Sequence, residues 1–222
     1  MCLLPVLGVL ILSLAAPVRA GTILVVGDSI SAAYGMSTEE GWVRLLEQRL
    51  QQLDPTFAVV NMSLSGETTG GGLARLPDAL RRHAPDLVII ELGGNDGLRG
   101  YPIDRIHANL GQMVTASLES GAEVLLVGMH IPPNYGQRYG DAFHGIFHDL
   151  AAEHDVALVP FLLEGVATED GLMQRDGIHP TAAAQPLLLD NLWTQLEPMI
   201  GSHRGGLTVR SSPDSNVSAS EG

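Results

Sequence analysis

A chain of 222 residues with 45% hydrophobic and 17% charged residues has material for one well-developed core and little for a second. Its formal net charge of −13 argues against nucleic acid as a partner, since phosphate backbones are held by Lys and Arg. All 12 basic side chains are Arg, and that balance also disfavours an anionic-membrane patch while leaving a neutral lipid or acyl chain open as a ligand.

Residues 1–20, "MCLLPVLGVLILSLAAPVRA", read as a secretory leader: an apolar run over 3–16, then Val18-Arg19-Ala20 as a small-residue cleavage site before Gly21. The run falls short of the ~18 to 20 apolar residues that span a bilayer, so export with cleavage, to the periplasm or beyond, is expected over an uncleaved anchor. Cys2 is the only cysteine and would leave with the leader, which removes disulfides and thiol chemistry from the mature chain.

The apolar run over 22–26 is too short for a helix and predicts a buried strand. Helical spacing covers 42–52, with Glu39 and Glu40 near its start. A second strand over 57–61 leads into a glycine-rich turn and a helix over 73–83. Strands over 86–92, 122–129 and 156–160 then alternate with helices over 104–120, 139–153 and 181–199. Strands that read as continuous apolar runs between helices imply a parallel sheet covered on both faces, an α/β fold built as a three-layer α/β/α sandwich. The domain is expected to span 21–200. A Ser- and Gly-rich segment over 201–222 is read as a flexible end.

In open parallel sheets, ligands sit outside the carboxyl ends of the strands. There this sequence places Gly27-Asp28-Ser29, "NMSLSGETTGGG" (61–72), "GGND" (93–96) and "GMHIPPNYG" (128–136), with "MQRDGIHP" (173–180) before the last helix. A serine hydroxyl is a poor nucleophile until a base takes its proton, which His179 would do if its other ring nitrogen is held by Asp176, three residues earlier. The negative charge that then develops on the attacked carbonyl needs donors. The backbone N–H groups of Ser29 and Gly66 and the Asn95 side-chain amide are candidates, Gly66 because without a Cβ its backbone approaches closely.

Other patterns carry less. His144 and His148 stand four apart in a predicted helix, a metal-ligand spacing, but no HExxH motif and no third ligand at fixed spacing accompany them, so no metal is assigned. Gly70 to Gly72 lack the rest of a phosphate loop. His130, Tyr101, Pro132, Pro133 and Tyr135 read as rim or loop residues near a substrate cleft, and no substrate-binding residue is assigned.

"GDSIS" (27–31), the glycine of "SLSGET" (Gly66), "GGND" (93–96) and "DGIHP" (176–180) resemble, in order, the four blocks of the SGNH, or GDSL, hydrolases. The longer stretches "IELGGNDGLRG" and "PPNYG" resemble its bacterial thioesterase I, arylesterase and lysophospholipase branch. The resemblance implies a flavodoxin-like five-stranded sheet of order 2-1-3-4-5 and a serine mechanism without metal or cofactor. Ser29 would be the nucleophile, Asp176 and His179 the rest of a triad, Gly66 and Asn95 the oxyanion donors with the Ser29 amide, and Asp28 a structural residue of the turn. The implied function is a monomeric hydrolase of small carboxylic esters and acyl thioesters working through an acyl-Ser29 intermediate. A carbohydrate O-acetylesterase and a non-catalytic ligand-binding protein on the same fold are the alternatives.

Overall fold

A computed structural model describes residues 21–205; the expected leader and the chain from 206 onward lie outside the described residues. In chain order the elements are β1 (Thr22–Gly27), α1 (Trp42–Leu53), β2 (Ala58–Asn61), α2 (Thr69–His83), β3 (Leu87–Glu91), α3 (Gly94–Leu98), α4 (Ile103–Glu119), β4 (Glu123–Val127), α5 (Gln137–His154), β5 (Ala157–Val159) and α6 (Gln185–Gly205). The strands pair in parallel in the order β2-β1-β3-β4-β5, as the resemblance implied.

Alternation along β1 shows why its sequence is apolar throughout. Ile23 and Val25 enter the core shared with Trp42, Leu46 and Leu50 of α1 and Leu188 and Leu192 of α6. Leu24 and Val26 enter the opposite core, with Leu76 of α2, Leu110 of α4 and Phe147 of α5. Successive side chains of a strand point to opposite faces, so a strand with helices on both sides must be apolar at every position.

The chain passes from β1 to β2 on one side and then crosses to β3 on the other, making β1/β3 the switch point where open sheets of this kind bind ligands. Register sets the two strand ends level there, with Gly27 opposite Glu91.

Several boundaries differ from those expected. Helix α2 begins at Thr69 rather than at 73, taking in the glycines read as a turn: the Thr68 hydroxyl accepts from the Gly71 amide at 3.3 Å and caps the helix. Gly72 is required by packing, because a Cβ there would overlap Leu92 Cδ1. Glu39 and Glu40 do not open α1. They form a separate 3-10 turn capped by Ser37, and the first amide of α1, on Trp42, donates to Gln185 Oε1 at 2.9 Å. The "GGND" segment winds into the short helix α3. At the last helix, residues 182–184 form a 3-10 turn, and α6 continues past its expected end at 199 to Gly205.

Candidate active site

The turn after β1 is held from behind by Glu91. This carboxyl is fully buried; its Oε2 accepts from the Ser31 hydroxyl at 2.6 Å and from the Asp28 amide at 3.2 Å. A Cβ on Gly27 would stand 2.7 Å from Glu91 Oε2 and from Ser31 Oγ, so only glycine lets the two strands come this close. The turn is closed by Ala32 N–H donating to Asp28 C=O at 3.0 Å and Tyr34 N–H to Ser29 C=O at 3.0 Å. Ser29 thereby stands at the strand end with its hydroxyl facing a cleft.

His179 reaches that hydroxyl from the loop before α6. Its Nε2 lies 2.9 Å from Ser29 Oγ and its Nδ1 2.7 Å from Asp176 Oδ2. Asp176 Oδ1 also accepts the backbone amides of Ile178 and His179, at 2.9 and 3.0 Å, so the carboxylate is bound from three directions. These bonds, the one from the His179 ring foremost, hold Asp176 down to about 2. The loop itself is fastened by Gln174, whose amide nitrogen donates to the carbonyls of Tyr34 and Pro180 and whose backbone N–H donates to His179 C=O. The Tyr34 ring packs on the imidazole at 4.5 Å between centroids.

Asn95 sits on α3, across the switch point. Its Nδ2 donates to Asp28 Oδ2 at 3.1 Å, while Asp28 Oδ1 accepts from the Ile30 amide at 3.0 Å. An amide nitrogen has two protons, so the bond to Asp28 leaves one for the cleft. Burial pushes Asp28 up to about 6, against the lowering effect of the Ile30 amide, the His179 ring and Asn95. Glu91 is pushed well up for the same reason, with the neighbouring Asp28 charge adding to it.

Gly66, with φ of +79°, stands on the loop between β2 and α2. It is exposed, and its carbonyl accepts from Arg99 at 3.3 Å. The loop is tied to the nucleophile turn by Leu64 N–H donating to Gly27 C=O at 3.1 Å and by Asn61 Nδ2 donating to Ser31 C=O at 2.9 Å. Asp96 binds both the amide and the hydroxyl of Thr69, at 2.9 and 2.7 Å, locking the start of α2 to α3 and so the Gly66 loop to the Asn95 segment.

The cleft has a volume of about 510 Å³ and is walled mainly by apolar side chains, among them Ile30, Met129, Ile131, Phe161 and Leu163. His130, Pro132 and Pro133 lie on this wall; Tyr101 and Tyr135 do not. Tyr135 donates to Leu98 C=O at 2.7 Å and supports the segment carrying Asn95. Glu91, Asp96 and Gln174 carry no role in the sequence reading. Each works by fixing another residue across a large sequence distance, and the one available signal was acidic Glu91 at the end of an otherwise apolar strand.

The model of the GDSL-like Lipase/Acylhydrolase family matches residues 25–186. Among curated proteins, the chain is 54% identical to "Esterase TesA" of Pseudomonas aeruginosa over 181 residues, covering 82% of this chain and 90% of the relative. It is 45% identical to "Thioesterase 1/protease 1/lysophospholipase L1" of Escherichia coli over 181 residues, 82% of this chain and 86% of that one. Among solved structures, the psychrotrophic esterase EstA from Pseudoalteromonas sp., inhibited by monoethylphosphonate, superposes with a TM-score of 0.78 at 40% identity, covering 82% of this chain and 99% of its own. The fold, the match over most of the described residues and the degree of identity together make this chain a member of the GDSL-like lipase/acylhydrolase (SGNH) family and an ester hydrolase.

Proposed function

We propose that the protein hydrolyses carboxylic esters and acyl thioesters through an acyl-Ser29 intermediate, and the observation that carries this is the continuous chain Ser29 Oγ, His179 Nε2, His179 Nδ1, Asp176 Oδ2, with links of 2.9 and 2.7 Å. Neutral His179 takes the proton as Ser29 Oγ bonds to the acyl carbon. Asp176 then stabilises the imidazolium and holds the ring in the useful tautomer. Charge on the former carbonyl oxygen is met by the Ser29 and Gly66 amides and the free Asn95 proton. Protonated His179 gives its proton to the departing alcohol or thiol, and a water activated by the same ring releases the acid and regenerates Ser29.

The apolar wall supports a medium acyl chain over acetyl alone, which favours an esterase of the kind named in the relatives over a carbohydrate deacetylase. All reacting groups come from one chain, consistent with a monomer. Export rests on the leader sequence; among the described residues no helix is long and apolar enough to cross a membrane. A panel of p-nitrophenyl esters from acetyl to decanoyl, with an acyl thioester and a lysophospholipid, tests the reading. Turnover on short and medium chains is expected. Turnover on acetyl esters alone would point to the deacetylase, and none at all to a binding protein.

A further inference from the structure

Helix α5 carries a second cluster of imidazoles that the ester chemistry does not use. His144 Nδ1 lies 3.1 Å from the Met129 carbonyl, which can only accept, so the ring proton is on Nδ1 and the Nε2 lone pair is free. One turn further, His148 places its own Nε2 3.3 Å from that of His144. The rings are not loose. His130 stacks on His144 at 3.7 Å between centroids, and His130 is itself packed edge-on against Phe161 at 4.6 Å.

Two imidazole nitrogens bound to one tetrahedral zinc at about 2.0–2.1 Å stand about 3.3–3.4 Å apart, and a zinc-ligating histidine ordinarily donates its other ring N–H to a carbonyl or carboxylate. The pair on α5 has both properties before any ion is bound. We propose that His144 and His148 form a Zn²⁺ site on the outer face of the molecule, holding the ion through their two Nε2 atoms, with water completing the shell. Among the described residues no group of three His, Cys, Asp or Glu side chains gathers round an ion, so the site has two protein ligands. Binding asks exposed His148 to carry its proton on Nδ1, where water can serve as acceptor. The formal net charge of −13 favours cation approach.

This goes beyond the i, i+4 spacing, which is common on exposed helices: the new observation is convergence of the two Nε2 atoms together with the Met129 bond that fixes the tautomer. The rival is a plain hydrogen bond from His148 to His144. The test uses the whole mature protein stripped with chelator, titrated with Zn²⁺ by calorimetry and followed through the histidine ring resonances. One ion should bind per chain with shifts at His144 and His148, and Tm should rise with Zn²⁺, as mass action requires of an ion that binds only the folded state. His148→Gln and His144→Gln should each weaken that binding at least about tenfold, and His148→Gln should leave ester turnover of the metal-free protein unchanged. His130→Phe, which keeps a stacking ring, should retain the affinity. Absence of binding, equal affinity in wild type and both glutamine variants, or loss of affinity in His130→Phe would overturn the assignment.

Discussion

Glu91 makes a sharp test because its role has two separable parts, an acceptor for the nucleophile turn and a proton. Replacing it with Leu removes the acceptor and leaves the Asp28 amide and Ser31 hydroxyl, both buried, without a partner. Each buried unpaired donor costs about 1–3 kcal/mol, so Glu91→Leu should lose about 2–6 kcal/mol of stability. It should also lower kcat more than it alters KM, since Ser29 sits on the freed turn. Glu91→Gln keeps one acceptor oxygen but replaces the single unpartnered Oε1 with an NH₂ whose two protons both lack an acceptor, a net gain of one unpaired group, so about 1–3 kcal/mol is lost.

The proton gives the pH dependence. Glu91 has a folded value well above its unfolded 4.5, so it binds its proton more tightly folded. Its contribution to stability is complete below 4.5 and is lost as pH rises toward the folded value. Gln has no proton to lose, so the stability gap between wild type and Glu91→Gln should narrow as pH rises from 4.5. Urea denaturation at a series of pH values, with p-nitrophenyl butyrate turnover alongside, measures both parts. Glu91→Leu as stable as wild type, or a Gln gap that widens with pH, would refute the reasoning.

Asn95→Ala should lower kcat by about 10² to 10³ with KM little changed, because its donor acts on charge that exists only in the transition state; steady-state kinetics showing near-normal kcat would return "GGND" to a structural loop. Asp28 is ionised only above about 6, and only then is it a charged acceptor for Asn95. The ratio of wild-type to Asp28→Asn kcat should therefore shrink as pH falls through about 6, and taking the ratio cancels the limb that belongs to the base; a constant ratio from pH 5 to 8 contradicts the coupling. Gly72→Ala should cost about 1–3 kcal/mol in urea denaturation through the clash with Leu92, with the active-site spacing otherwise kept.

The strand positions were legible from the sequence because buried parallel strands are apolar throughout, and Ser29, Asn95 and His179 because "GDSIS" and "GGND" follow strand ends and "DGIHP" precedes the last helix; the sheet order came only with the resemblance to the SGNH hydrolases. Less visible were features decided by a partner far along the chain. Nothing local marks Gln185 as the cap of Trp42, 143 residues earlier, or Asp96 as the lock on Thr69. The glycines at 70 to 72 look like a turn by composition, yet they lie in a helix capped by Thr68, and residue 72 is glycine because a Cβ there would overlap Leu92. The charge states of Asp28 and Glu91 were equally hidden: a carboxyl beside a strand end reads as solvated until its burial is known. His144 and His148 were visible as a spacing, but not the 3.3 Å convergence of their nitrogens.

The central claim, that Ser29 is the atom acylated with His179 as its base, is tested most directly by reacting the protein with a fluorophosphonate and locating the adduct by mass spectrometry. One adduct on Ser29 is expected, formed far more slowly in His179→Ala, and Ser29→Ala should show neither label nor ester turnover while its circular dichroism spectrum stays unchanged. Labelling of a different serine, or Ser29→Ala turning over ester at more than about a tenth of the wild-type rate, would contradict it.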